Sequence, residues 1–190
     1  MAMRAFALEQ TALNQIRSLP PDTYLIHATN CIAEWGAGIA AELGTVFPVA
    51  CKEYKRYCNA AKTDTSERWP PRSLGGRCLI IPPQPEDVAA GAPRIHIVCL
   101  FTSYGYGRPN IATGKPGKDS MGMILRQTEK ALTDFRRQLE TETNNQNRMA
   151  IYSPMFNSGA FRVPWEKTKG LIEKEFEGWE GQWLVMAPPS

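Results

Sequence analysis

Short β-rich runs alternate with longer helical runs along the whole chain. Several of the short runs are almost continuously apolar, which is typical of strands covered on both faces of a sheet. This alternation predicts an α/β fold with a largely parallel sheet. The candidate strands are RAFAL at 4–8, TYLIHA at 23–28, RCLII at 77–81, RIHIVCLF at 94–101, MAIYS at 149–153 and QWLVMA at 182–187.

Three regions carry the apolar spacing of helices. The clearest is predicted from Asp119, whose side chain we expect to cap the first N–H groups, to about Glu142. A second follows Pro164, a residue favoured in the first turn of a helix. A third covers 37–43 and 48–61. The apolar face of the second helix is interpreted as core and comprises Trp165, Thr168, Ile172, Phe176 and Trp179.

Proline and glycine concentrate in three predicted loops, at 69–76, 82–93 and 104–117. The third loop precedes the long helix and carries Gly, Lys and Arg. Two interpretations remain open: a mobile lid over the site, or an ordinary surface loop. No internal repeat or linker divides the chain, and 190 residues are enough for one well-filled core. We expect a single domain over 1–190.

Composition and charge narrow the functional classes. The chain is 43% hydrophobic and 22% charged, which is typical of a globular protein. A net charge of +3 falls short of the dense Lys/Arg stripe that binds a nucleic-acid backbone. No apolar run approaches membrane-spanning length, and MAMRAFAL lacks the long apolar region of a signal peptide. We expect a monomer with neither a nucleic-acid nor a membrane partner.

The five cysteines and two histidines match neither a zinc-site spacing nor a disulfide framework. Cys78 and Cys99 lie inside apolar strand-like runs and are predicted to be buried, reduced thiols. Reduced thiols indicate an intracellular compartment, the cytoplasm or the nucleus. Nothing in the sequence calls for a metal ion or a cofactor.

The stretch HATNCIAEWGAGIA at 27–40 carries the first candidate chemistry. A strand ending at His27–Ala28 runs into a turn, and Gly36–Ala37–Gly38 opens a helix. Free N–H groups at a helix start bind anions, and small residues there let a phosphate approach the backbone. The spacing is neither G-x-G-x-x-G nor a P-loop. Tight helix–sheet packing explains the small residues equally well.

A second stretch, SPMFNSGAFRVPW at 153–165, favours the anion interpretation. Here again a strand runs into Asn157–Ser158–Gly159–Ala160 and then into a helix. The carboxyl ends of parallel strands meet at one edge of a sheet, so the two loops can hold one polyphosphate from both sides. Two matching loops are harder to explain by packing.

Several motifs together identify a family. They are His27, Asn30–Cys31, Trp35–Gly36–Ala37–Gly38–Ile39–Ala40, LIIP at 79–82, CLFTS at 99–103, and Asn157–Ser158–Gly159 followed by Val163–Pro164–Trp165. This combination, spread over about residues 23–170, resembles the macrodomain family and, within it, the fungal ADP-ribose 1''-phosphate phosphatase branch. The resemblance implies a three-layer α/β/α fold with a mixed, mostly parallel central sheet and a cleft for ADP-ribose.

The resemblance also implies a binding site. The diphosphate would rest on backbone N–H groups at 36–40 and 158–161, and Asn30 would hydrogen-bond the distal ribose. The ligand-binding residues are then Asn30, Cys31, Trp35, Gly36, Ala37, Gly38, Ile39, Ala40, Asn157, Ser158, Gly159, Ala160 and Phe161.

The implied reaction removes the 1''-phosphate from ADP-ribose 1''-phosphate, a by-product of tRNA splicing. His27 is the candidate for proton transfer, because the ordinary pKa of histidine lies near neutrality. Asp119 is either a second catalytic residue that orients water or a helix cap. His96, between two isoleucines, is interpreted as structural. Two alternatives remain open: a reader of ADP-ribose or of mono-ADP-ribosylated proteins, and a hydrolase that removes mono-ADP-ribose from proteins.

Two departures from wider family patterns matter. Macrodomains that cleave ADP-ribosyl-glutamate through a covalent lysine carry an aspartate where this chain has Phe161, and their strand-end lysine is absent from CLFTS. That route is disfavoured. Many macrodomains also hold adenine with the aspartate of an early Gly-Asp-Ile motif, where this chain has 9–12 (EQTA). Adenine recognition would then rest on Glu9 or Thr11, or on stacking with Phe161.

Overall fold

The computed structural model describes residues 6–142 and 149–188. A six-stranded sheet in the order β1-β6-β5-β2-β4-β3 forms its centre. Every neighbouring pair of strands is parallel except β3 and β4. The sheet is therefore mixed and mostly parallel, as predicted. The strands are β1 (Glu9–Thr11), β2 (Tyr24–Asn30), β3 (Cys78–Ile81), β4 (His96–Ser103), β5 (Ile151–Ser153) and β6 (Trp183–Met186).

Helices cover both faces of this sheet, and two short 3-10 turns at Ile16–Ser18 and Arg72–Leu74 join the elements. No helix in the described ranges is long and apolar enough to cross a bilayer. The helices are α1 (Gly38–Val46), α2 (Pro48–Ala60), α3 (Pro85–Ala89), α4 (Met121–Glu142) and α5 (Trp165–Glu175).

Two buried clusters join the helices to the sheet. Neighbouring residues of a strand point to opposite faces, so Leu25 belongs to the cluster of α1 and α2, which includes Tyr54. Ile26 belongs to the cluster of α4 and α5, which includes Phe135. The result is the three-layer α/β/α arrangement that was expected, and burial against both layers explains the apolar sequence of the central strands.

Several strand predictions were wrong in their limits; the strand predicted at 94–101, for example, is β4 at His96–Ser103. The first strand was predicted at 4–8, of which residues 4 and 5 lie outside the described ranges, whereas β1 begins at Glu9. Phe6 and Leu8 instead pack against the α4 and α5 cluster. β2 does not end at His27–Ala28 but continues to Asn30, because its pairing with β4 runs on through an irregularity at Thr29–Asn30.

The helix predictions were largely confirmed, with differences at their starts. α4 begins at Met121, and its first turn is capped by Ser120, whose Oγ accepts the Met123 N–H at 3.2 Å. The predicted cap, Asp119, points elsewhere. α5 begins at Trp165, directly after Pro164, as predicted. The aromatic face of α5 is core as predicted, although Phe176 and Trp179 follow the last helical residue.

The predicted loop at 82–93 contains the short helix α3. Its Asp87 is buried, and the two carboxylate oxygens accept the N–H groups of Val49 and Ala50, both at 3.0 Å. Asp87 thus caps α2 from another element. The described cysteines form no disulfide with one another, and Cys78 and Cys99 are buried as predicted.

Candidate functional site

A cavity of about 480 Å³ lies at the carboxyl ends of the parallel strands. The sheet order fixes which residues line each part of it. Residues after β1 and β6, among them Ile16 and 186–188, line one end. The loops 154–161 after β5 and 27–40 in and after β2 line the middle, and Tyr106 after β4 lines the other end. The two loops predicted from the sequence therefore do meet at one cleft.

The first anion-binding element is the start of α1. The residue before the helix, Ala37, has no side-chain cap. The N–H groups of Gly38, Ile39 and Ala40 have no acceptor within the helix, since the first turn of any helix leaves its N–H groups free. All three residues line the cleft, and the helix dipole adds positive potential there. Gly38 has a φ of +57°, a conformation that favours glycine.

The second element is the loop at 157–161. The N–H groups of Gly159, Ala160 and Phe161 donate to no acceptor within the described residues, and all three residues line the cleft. Ser158 differs from the expectation, because both its N–H, at 3.3 Å, and its hydroxyl donate to the carbonyl of Met155. The loop thus offers three free donors rather than four.

Asn157 shapes this loop from inside the protein. Its side chain points into the core, where Oδ1 accepts the Thr102 hydroxyl at 2.8 Å. Its Nδ2 donates to Thr128 at 2.9 Å and to Thr168 at 3.3 Å. The residue adopts a φ of +67°, and its carbonyl accepts the Val163 N–H at 2.8 Å. Asn157 therefore positions the donors, and its amide is already occupied.

His27 lies in the middle of β2, lines the floor of the cleft and is only 3% exposed. Its ring meets Trp35 edge-on, with centroids 5.5 Å apart. Neither ring nitrogen has a hydrogen-bond partner among the described residues. Burial lowers the pKa of His27 to about 3, well below the ordinary value for histidine. The imidazole is neutral at pH 7 and offers one donor and one acceptor.

Asn30 braces the turn that follows β2. Its Oδ1 accepts the Ile32 N–H and the Tyr54 hydroxyl, both at 3.0 Å. Its Nδ2 donates to the Glu34 carbonyl at 2.7 Å. Asn30 does line the cleft, but only the second hydrogen of Nδ2 remains for a ribose hydroxyl.

Cys31 and Trp35 lie behind the cleft wall and are not among its lining residues. The Cys31 thiol is buried and contacts the Ser103 carbonyl at 3.5 Å. Trp35 stacks on Tyr54 with ring centroids 4.8 Å apart, and its indole N–H donates to Thr29 at 3.2 Å. Both residues support the cleft from the core instead of touching a ligand.

Asp119 also lies outside the cleft lining. One carboxylate oxygen pairs with Arg72 at 3.0 Å, and the other accepts the Tyr104 N–H at 2.8 Å and the Gln127 amide at 3.0 Å. Burial opposes its ionisation, but these hydrogen bonds outweigh burial and lower the pKa of Asp119. Because both carboxylate oxygens already accept hydrogen bonds, Asp119 holds the loop after β4 in position. The geometry does not support a role in orienting water.

Glu34 and Tyr106 both line the cleft and form a hydrogen bond that no sequence pattern predicted. The Tyr106 hydroxyl donates to Glu34 Oε2 at 2.5 Å across 72 residues of sequence. This hydrogen bond, together with burial, raises the pKa of Tyr106 to about 12. Lys115 supports the tyrosine, with Nζ 3.9 Å from the ring centroid and 2.8 Å from the Tyr106 carbonyl.

Of the residues expected to recognise adenine, only Phe161 lines the described cleft. Glu9 and Thr11 do not line the cleft, and the Thr11 hydroxyl accepts the Leu13 N–H at 3.2 Å. Asn14, which the sequence reasoning missed, lines it instead. Phe161 lines the cleft as expected and packs on Val163 in a small buried cluster.

The charge of the cleft is unusual for an anion site. Its described lining contains two carboxylates, Glu34 and Glu42, and neither lysine nor arginine. The described part of the chain also contains no group of three or more His, Cys, Asp or Glu residues that could hold a metal ion. The donors that the described lining offers to an anion are therefore mainly the backbone N–H groups of the two loops.

Comparison with known proteins gives the following relatives. No protein-family model matches the sequence. The chain is similar to the ADP-ribose 1''-phosphate phosphatase of Aspergillus fumigatus, with 34% identity over 174 residues, or 81% of this chain and 83% of that protein. The ADP-ribose 1''-phosphate phosphatase of Debaryomyces hansenii is 31% identical over 150 residues, or 78% of this chain and 80% of that protein.

Two solved structures have a similar fold. The macrodomain of Mycobacterium tuberculosis DarG has a TM-score of 0.66 at 17% identity, covering 97% of this chain and 99% of that chain. Thermosipho africanus DarTG in complex with ADP-ribose has a TM-score of 0.61 at 14% identity, covering 87% of this chain and 38% of that chain.

Proposed function

Since the chain belongs to the fungal ADP-ribose 1''-phosphate phosphatases and has the macrodomain fold, we propose that it hydrolyses ADP-ribose 1''-phosphate to ADP-ribose and phosphate. One observation carries the proposal. Three unpaired N–H groups at 38–40 and three at 159–161 line the same cleft. Two converging sets of donors suit a diphosphate, which carries negative charge on both of its phosphates.

The order of the strands indicates which end of the cleft would hold the adenine and which the distal ribose. The diphosphate lies between the loops after β5 and β2, so the two ends of the ligand extend toward opposite edges of the sheet. The β1 and β6 end is lined by Ile16, Met186 and Pro188 and suits the apolar face of adenine. The β2 and β4 end is lined by Asn30, Glu34 and Tyr106 and suits the hydroxyl groups of the distal ribose. The 1''-phosphate then lies near Glu34.

The test is phosphate release from ADP-ribose 1''-phosphate, measured beside calorimetric binding of ADP-ribose. A Gly38→Glu variant is expected to lose binding and turnover, because it places a carboxylate at the free N–H groups of α1. Gly170→Glu is the matched control, since Gly170 is exposed on α5 and does not line the cleft. Wild-type affinity in Gly38→Glu would remove the start of α1 from the site, and the absence of phosphate release would reject the phosphatase.

A reader of ADP-ribose or of mono-ADP-ribosylated proteins is the second candidate. The observation that favours it is the state of the two residues expected to be catalytic. His27 is neutral and buried, and Asp119 is engaged outside the cleft. Tight ADP-ribose binding without phosphate release would select the reader. The third candidate, a hydrolase of mono-ADP-ribosyl proteins, would release ADP-ribose from such proteins with the same cleft.

A further inference from the structure

Among the described residues that line the cleft, no lysine, arginine or charged histidine is placed to protonate the leaving oxygen when a phosphorus–oxygen bond is cleaved. Such cleavage expels the 1''-oxygen of the ribose, an alcohol that needs a proton as it leaves. Burial keeps His27 neutral, with a pKa of about 3. The Tyr106 hydroxyl already donates its proton to Glu34. Cleavage of the bond between C1'' and oxygen expels phosphate instead. A phosphate monoester has a second pKa of about 6, so its singly protonated form is present near neutral pH and leaves as HPO4 2− without an acid from the protein.

Glu34 is a fixed carboxylate at the end of the cleft that suits the distal ribose. The Asn30 side chain holds its backbone on both sides, accepting the Glu34 N–H at 3.5 Å and donating to the Glu34 carbonyl at 2.7 Å. Tyr106 holds Oε2, whereas Oε1 accepts no hydrogen bond from the described residues. One oxygen is therefore oriented by the protein and the other is left for a water molecule.

The charges of the cleft distinguish the two bonds further. Cleavage at phosphorus through a loose transition state builds negative charge on the departing 1''-oxygen of the ribose, which Glu34 would repel and which no lysine or arginine of the described lining would offset. Attack at C1'' builds positive charge on the ribose ring, as in glycoside hydrolysis, and a nearby carboxylate stabilises that charge.

We propose that phosphate is released by cleavage of the C1''–O bond, with the Glu34 carboxylate taking a proton from the attacking water. The inference rests on the proposed phosphatase function. The water oxygen bonds to C1'', and the electron pair of the C1''–O bond leaves with the singly protonated phosphate as HPO4 2−. One water proton passes to Glu34 and then to solvent, and the other stays on the new 1''-hydroxyl. Tyr106 is a positioning residue for Glu34.

The deciding experiment is hydrolysis of ADP-ribose 1''-phosphate by the full chain in water enriched in oxygen-18. The released phosphate is then analysed by mass spectrometry, because the sugar hydroxyl of ADP-ribose exchanges with water and its label carries no information. Phosphate without label is the expected result. One oxygen-18 per phosphate would overturn the inference while leaving the phosphatase function intact. No phosphate at all would reject the function and the inference together.

A variant tests the role of Glu34. Glu34→Gln keeps an oxygen that accepts from Tyr106 but loses the base, so kcat is expected to fall by about 100-fold or more, with little change in KM. Glu173→Gln is the matched control, because Glu173 is exposed on α5 and away from the cleft. Calorimetric binding of ADP-ribose checks that the Glu34 variant retains its cleft. A kcat equal to that of the wild type would overturn the assignment of Glu34 as the base.

Discussion

Replacing Gly38 with alanine tests the energetic cost of the backbone conformation at the start of α1. Gly38 has a φ of +57°, and a Cβ added there would meet no atom within 4 Å. Any effect of the methyl group must therefore come from the left-handed backbone and not from a clash. That conformation costs an alanine about 1–2 kcal/mol.

This cost can appear in two measurable quantities. If the loop keeps its conformation, the free energy of unfolding falls by about 1–2 kcal/mol. If the loop relaxes, stability is retained, and the ligand must restore the conformation on binding, which weakens affinity by about 5- to 30-fold. The two losses should sum to about 1–2 kcal/mol, and Gly38→Asn should show a smaller sum because asparagine tolerates positive φ better.

The assays are urea unfolding and calorimetric titration with ADP-ribose. Gly122→Ala is the control, because Gly122 is an exposed glycine of α4 with ordinary helical backbone and open space around its Cα. There alanine should stabilise the protein by up to about 1 kcal/mol and leave binding unchanged. If Gly38→Ala changed neither stability nor affinity, the requirement for a left-handed residue before the free N–H groups would be refuted.

Two further predictions concern stability. Asn157→Ala should lower the free energy of unfolding by about 2–4 kcal/mol in urea, because three buried threonine hydroxyls lose a partner; an effect no larger than that of Ser158→Ala, whose hydroxyl is exposed, would contradict the buried network. For His27, the folded pKa of about 3 lies below the ordinary value of 6.5, so the unfolded chain binds the proton first. The stability that it contributes above pH 6.5 is lost as the pH falls, by about 2 kcal/mol at about pH 5. His27→Phe should lack this loss, and identical pH profiles of stability would refute the buried neutral imidazole.

Local patterns were sufficient to predict the central strands, the long helices and the two loops of the cleft. Each depends on residues adjacent in sequence, as when a strand runs through glycine and alanine into α1. The missed features join distant segments. Glu34 meets Tyr106 across 72 residues, and Asp87 caps α2 from 37 and 38 residues away.

The errors have the same origin. Asp119 looks like a helix cap in sequence, but folding brings Arg72 and Gln127 to its carboxylate. The pKa of His27 is lowered by burial in the folded protein, which no local sequence pattern indicates. β1 escaped prediction because it is a three-residue edge strand with little apolar sequence.

The reliance of the cleft on main-chain donors has a consequence for how the site can be studied and how it can change. Alanine at Ile39 or Gly159 leaves the N–H donor in place, and Ala40 and Ala160 are alanine already, so an alanine scan of these four positions would not detect their role in binding an anion. Proline, which removes the N–H itself, or a bulky residue, which blocks the approach, is needed to expose it. By the same reasoning, the side chains at these positions can change without loss of the donors, provided that the new residue keeps its N–H, keeps the backbone path and does not block the approach of the ligand.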